Sequence, residues 1–117
     1  MRKIVIAFDV DGTLIKTGAT SALDMVANVR IVRLLVALAS FKNVEVVVWS
    51  GGGKAWADEA VSVLGLGKWV RATYDKKLQG RGDDGEYIFT PDIKPDIAID
   101  DIQACNLGLL NLIVREK

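Results

Sequence analysis

The sequence contains no histidine. That removes Ser–His and Cys–His nucleophile pairs and the commonest zinc ligands. Its one cysteine, Cys105, cannot form a disulfide within the chain, so a reducing, cytoplasmic setting is expected. Net charge is also missing: 15 Lys and Arg balance 15 Asp and Glu. A neutral chain has no long-range pull on nucleic acid or anionic lipid, although a local basic groove stays open to it. No apolar run is long enough to cross a membrane, and none is expected to bind one. The first such run, Ile4 to Phe8, is cut by Asp9 and is too short for a signal peptide. Repeats, linkers and low-complexity segments are lacking as well. What is present is 117 residues, 50% of them hydrophobic. That is enough for one domain, residues 1–117, with a true core and little room for a second.

Ile4-Val5-Ile6-Ala7-Phe8 is a continuous apolar and β-branched run. Such runs form strands buried on both faces, as in parallel sheets. Val44 to Trp49 reads the same way, followed by Ser50-Gly51-Gly52-Gly53 and a helix from Lys54 to Leu64. Ser21-Ala22-Leu23-Asp24 has capping-box spacing and predicts a helix running to about Phe41. Trp69 to Tyr74 predicts a third strand, and residues 78–86 a glycine-rich, charged loop. Tyr87 to Phe89, Ile97 to Ile99 and Leu109 to Val114 predict further strands. Alternating strands and helices imply an α/β fold: an open, mainly parallel Rossmann-like sheet with flanking helices.

In such sheets the site lies beyond the carboxyl ends of the strands. Three strands end in polar groups there. They are Asp9-Val10-Asp11-Gly12-Thr13, Ser50 with its glycines, and Asp100-Asp101. Carboxylates this close cannot all stay ionised without a cation. Oxygen donors with no histidine or cysteine point to Mg²⁺. Ser50 and the backbone N–H groups around Gly51 offer an anion-binding corner. A cation site beside an anion site suits phosphoryl transfer, with Asp9 attacking phosphorus and Asp11 as general acid and base. A lysine would hold the phosphate. Asp9 to Gly12 is not an EF-hand, because Thr20 stands where the twelfth-position Glu belongs.

These motifs, each after its strand, resemble the haloacid dehalogenase (HAD) superfamily of phosphatases from residue 3 to about 114. The resemblance implies that Asp9 is the nucleophile and Asp11 the general acid and base. It implies that Asp9, the main-chain carbonyl of Asp11, and Asp101 bind Mg²⁺, with Asp100 in support. Ser50, Gly51 and a lysine would bind phosphate. Lys94 in Ile93-Lys94-Pro95-Asp96 is the favoured lysine, although no helix separates it from the acidic strand. Lys76 or Lys77 would start from the correct edge. The acidic residue usual after the pair is missing, and Asn106 is the candidate substitute. Neither long insertion has room for a cap domain, so a capless HAD-like fold is expected.

The expected substrate is a phosphomonoester, either a small molecule or a nucleic-acid end. The strand ending at Asp101 is similar to the phosphatase part of phage polynucleotide kinase, with Ile102 where that group has arginine. A receiver-like phospho-signalling module is the alternative from another class, as is an inactive binding protein on the same scaffold. A homodimer is also expected. After Arg33 the first helix carries no charge until Lys42, so it is apolar all round for more than two turns. The rival cover for that helix is the loop at residues 78–90. The three tryptophans are expected in the core or an interface rather than as a base-stacking platform.

Overall fold

The computed structural model describes residues 2–102 and 106–115. Cys105 and the reading attached to it lie outside the described residues. Five strands form one parallel sheet: β1 (Ile4–Asp9), β2 (Val44–Ser50), β3 (Ala72–Asp75), β6 (Ile97–Asp100) and β7 (Leu110–Ile113). Their order is β3-β2-β1-β6-β7. β4 (Leu78–Arg81) and β5 (Tyr87–Phe89) pair separately as an antiparallel hairpin. The α/β class and parallel sheet are as the sequence predicts. The glycine-rich stretch at 78–86 is not a plain loop: its first half is β4, and the turn follows.

Two helices cross between strands, α1 (Val29–Ala39) from β1 to β2 and α2 (Lys54–Val63) from β2 to β3. Both run back on the same side, because successive right-handed crossovers in one direction put their helices on one face. That face buries Ile6, Phe8, Val46, Val48 and Ile99 against Leu35 of α1 and Ala57 and Ala60 of α2. The other face carries Ala7, Val47, Trp49 and Ala98. No helix among the described residues covers it. Leu107, Phe89 and Ile93 pack there instead.

The first helix starts later than the capping-box spacing predicts. Ala22–Asp24 is a single 3-10 turn, and Ser21 makes no side-chain bond to the backbone that follows. The reason lies upstream. Leu14 and Ile15 are fully buried. The chain returns over them in extended form: Lys16 N–H donates to Val26 O at 2.9 Å, and Asn28 N–H donates to Leu14 O at 2.8 Å. Residues held in that pairing cannot also be helical. Asn28 then becomes the N-cap, and its carbonyl accepts from Ile31 and Val32.

The exposed side of α1 carries Arg30 and Arg33 in its first half and is apolar beyond them. Leu35 is its one fully buried residue, while Val29 (55%) and Leu34 (40%) stand in solvent, with Phe41 (58%) just beyond the helix. Among the described residues no helix is long and apolar enough to cross a membrane.

Candidate active site

Connections leaving β1 diverge to β2 on one side, while β6 lies on the other. In an open α/β sheet that divergence opens a crevice at the carboxyl edge. A cleft of about 320 Å³ lies there, lined in part by Asp9, Asp11, Gly51, Gly52, Lys76 and Asp101. Asp9 ends β1 and Asp100 ends β6. The pairing of Phe8 with Ile99 makes these two aspartates register neighbours.

Side chains alternate across a strand. Val5 and Ala7 face the helix-free side, so Asp9 does too. Ala98 carries Asp100 to the same side, and Ala72 and Tyr74 carry Lys76 there. The three meet. Lys76 Nζ donates to Asp9 Oδ1 at 2.8 Å and to Asp100 Oδ2 at 2.9 Å. Lys76 is only 2% exposed. A lone ammonium so deep would be costly, and two carboxylates offset that cost. Burial pushes Lys76 towards its neutral form, but Asp9 and Asp100 outweigh it and hold the ammonium above its ordinary range.

Asp9 feels the opposite balance. Burial first, and then the charge of Asp100, raise its carboxyl well above the usual value, against the pull of Lys76. Its second oxygen accepts from Thr13 Oγ1 at 3.4 Å. Asp101 is pushed up to about 6, first by burial and then by its hydrogen bond and charge interaction with Asp100. Asp100 itself is fully engaged: its Oδ1 accepts the N–H groups of Asp101 and Ile102 at 2.8 and 3.2 Å. It therefore shapes the loop that carries Asp101. Oxygens of Asp9, Asp100 and Asp101 lie within 4.8 Å of one another. Three carboxylates around one ammonium leave an excess of negative charge, a donor set suited to a hard divalent cation.

Gly12 permits this approach. Its φ is +78°, and a Cβ there would fall 2.1 Å from Asp101 Oδ2. The carboxylate of Asp101 thus rests against the glycine of the first motif. Asp11, one residue earlier, is oriented by Trp56, which packs against the core as expected and also reaches the site. Trp56 Nε1 donates to Asp11 Oδ2 at 2.9 Å. Trp56 lies in the first turn of α2, after the glycines, and that position was the available signal.

Ser50 arrives on the opposite side of the alternation, with Val46 and Val48 on the helix-covered face. Its hydroxyl is buried and accepts the Gly52 N–H at 2.9 Å. Ser50 does not cap α2; Gly53 occupies that position. The hydroxyl braces the loop whose Gly51 and Gly52 line the cleft.

Lys94, the favoured lysine, is not brought to this cluster. It is exposed and lies before β6, at the amino edge, in a separate groove with Val5, Glu45, Arg71 and Tyr74. Immediately before Pro95 and one strand-length from Asp100, it starts from the wrong end of the sheet. Lys76, the alternative that starts from the correct edge, meets Asp9. Its neighbour Lys77 turns away to Asp92 at 2.6 Å, in the left-handed region at φ 55°. Asn106 is exposed and is not among the residues lining the cleft.

Comparison with protein-family models, with curated proteins and with solved structures gives no match to this chain.

Proposed function

We propose that this chain is a Mg²⁺-dependent phosphomonoester hydrolase of the haloacid dehalogenase type, working through an aspartyl-phosphate. The observation that carries the reading is Lys76 bridging Asp9 and Asp100 beside Asp11 and Asp101, at the mouth of an open cleft. Oxygen-only donors with uncompensated charge fit Mg²⁺. Asp9, Asp101 and the main-chain carbonyl of Asp11 would hold it. When bound, it would neutralise charge between the carboxylates and the phosphate and polarise a phosphoryl oxygen.

The chain's own residues would do the rest. A carboxylate oxygen of Asp9 bonds to phosphorus as the bond from phosphorus to the leaving oxygen breaks. Asp11 gives its proton to that leaving oxygen, and Trp56 fixes the carboxyl in place. Water then attacks the aspartyl-phosphate, Asp11 takes a proton from it, and the bond from phosphorus to Asp9 breaks. Inorganic phosphate leaves and Asp9 is a carboxylate again. Throughout, Lys76 and the N–H group of Gly51 would face the phosphoryl oxygens, Lys76 replacing Lys94 in that role, while the Gly52 N–H stays bonded to Ser50.

Asp9→Asn is the direct test. It preserves shape and removes the nucleophile, so turnover of an aryl phosphate with Mg²⁺ should fall by roughly 10⁴-fold or more. Beryllium fluoride with Mg²⁺ should attach to the wild type and not to the variant. Wild-type turnover in Asp9→Asn would end this reading.

A further inference from the structure

The cleft has two unlike walls. One is polar, made by Asp9, Asp11, Lys76 and Asp101. The other comes from the β4–β5 hairpin, through Leu78, Tyr87 and Phe89. Alternation explains the choice: Tyr87 and Phe89 share one face of β5, and Ile88 points away. Leu78 stands directly across from Phe89. The hairpin thus presents an apolar strip to the acidic cluster.

The strip begins at the phosphate-binding lysine. Lys76 Nζ lies 4.7 Å from the centre of the Phe89 ring. Phe89 also reaches the glycine loop, 3.5 Å from where a Cβ of Gly51 would be. Tyr87 follows outward, its ring 6.1 Å from that of Phe89 and tilted by 37°. On Tyr87 lies Arg81, its guanidinium 4.5 Å from the ring centre and its Nη2 donating to the hydroxyl at 2.6 Å. That bond and stack hold the Tyr87 ring in one orientation.

Phe89 anchors the strip on the helix-free face of the sheet, and the rest of the strip stands outside that packing. Leu78 is 44% exposed and Tyr87 is 41% exposed, so they seal no core. An apolar surface ordered beside a charged pocket is the usual form of a small-molecule site, where polar groups fix one end of the ligand and flat apolar walls take the other. Faces of aromatic rings prefer other rings, offset or edge-on, at 4.5–7 Å between centres, about the spacing the strip already has internally.

We propose that the hairpin selects phosphomonoesters whose leaving group carries a planar aromatic ring, which packs on Phe89 and Tyr87 while the phosphate sits at Lys76. An aryl alcohol and a nucleoside both supply such a ring; the shared chemistry is a flat ring within a few bonds of the phosphate. This rests on the phosphatase reading for the position of the phosphate, and the hairpin itself contributes no reacting group.

Benzyl phosphate and butyl phosphate make a suitable pair. Both release simple primary alkoxides, so their intrinsic reactivity is alike, and they differ in the ring. The wild type should favour benzyl phosphate by about tenfold in kcat/KM, mostly through KM. Tyr87→Ala should bring the ratio towards one. A nucleoside 5′-monophosphate compared with ribose 5-phosphate, in the same assay, distinguishes a nucleoside from an aryl source. Equal kcat/KM for benzyl and butyl phosphate, or a ratio untouched by Tyr87→Ala, overturns the inference and leaves the phosphatase reading standing. Binding of benzylphosphonate and butylphosphonate, measured by calorimetry with Mg²⁺ present, needs no turnover. Tighter benzylphosphonate binding that depends on Tyr87, in a protein that hydrolyses neither ester, would support the ring site and reject the phosphatase. Equal binding of the two phosphonates refutes the ring site.

Discussion

Removing the ammonium of Lys76 leaves Asp9 and Asp100 facing each other in a buried place. Breaking a buried pair from one side costs about 3–5 kcal/mol, because the remaining charge has no partner. Lys76→Ala should therefore lower stability by that order in a denaturant titration, and turnover should fall with it. Lys94→Ala changes an exposed side chain and should stay within about 0.5 kcal/mol of the wild type, with turnover intact. The reverse pattern would restore Lys94 to the site. Asp101 gives a pH dependence with a definite sign. Its carboxyl is held up at about 6 in the fold, above the ordinary carboxylate value it has when unfolded. The metal-free fold thus binds a proton that the unfolded chain releases. That contribution is complete at low pH and is lost as pH rises through about 6. A cation needs the ionised carboxylate. The rise in Tm caused by Mg²⁺ should be small near pH 5 and larger near pH 7.5. Asp101→Asn should flatten that difference, and a shift independent of pH would place the cation elsewhere.

At the scale of elements, the flap between β1 and α1 separates what the sequence shows from what it conceals. The capping-box spacing at Ser21 is a real local signal, but the extended pairing of residues 26–28 over Leu14 and Ile15 overrides it. Ser21→Ala should cost less than about 0.5 kcal/mol, where a true N-cap would cost about 1 kcal/mol. Leu14→Ala, at a fully buried position, should cost about 2–5 kcal/mol. Equal losses from the two, measured in urea, would contradict the observed start of α1. The strands were legible because each buried strand is a continuous apolar run, and its polar end marks the carboxyl edge. That edge brought Asp9, Asp11 and Asp101 into one cleft by topology alone. Lys76 was harder to read, since choosing between Lys76 and Lys94 needs the direction of each strand relative to the cluster. Trp56 and the Phe89 wall follow from tertiary approach, to which no local period corresponds. Ser50 shows the same limit: its place after β2 is readable, but the alternation that turns its hydroxyl towards Gly52 depends on which face α2 covers.

For the whole molecule the unresolved surface is the outside of α1. Leu34, Ala37 and Phe41 recur at helical spacing, so they form one stripe. All three are exposed; the exposed Arg30, one turn before Leu34 on the same face, and Arg33 bound the stripe at its amino end, and Lys42 follows it. The hairpin does not reach over them, because Leu78, Tyr87 and Phe89 line the cleft at the carboxyl edge. Its absence from this face removes the intrachain cover that was the rival explanation. A contiguous apolar stripe on a chain this small favours burial against a second copy, and a two-fold pairing is the simplest closed arrangement. The edge strand β7 offers another apolar surface, through Leu110 and Leu112. It is shorter than α1, and although Leu109 and Ile113 are exposed there too, pairing along that edge joins strands through backbone hydrogen bonds rather than burying a helix face. We therefore expect a dimer through α1, with a mass twice 12.7 kDa by light scattering at micromolar concentration. Leu34→Lys should return it to monomer without loss of the fold, because that side chain is already 40% exposed. Leu112→Lys should leave the dimer in place. Dissociation by Leu112→Lys alone would move the interface to β7, and a single 12.7 kDa species across a dilution series would show that the stripe pairs with no second copy.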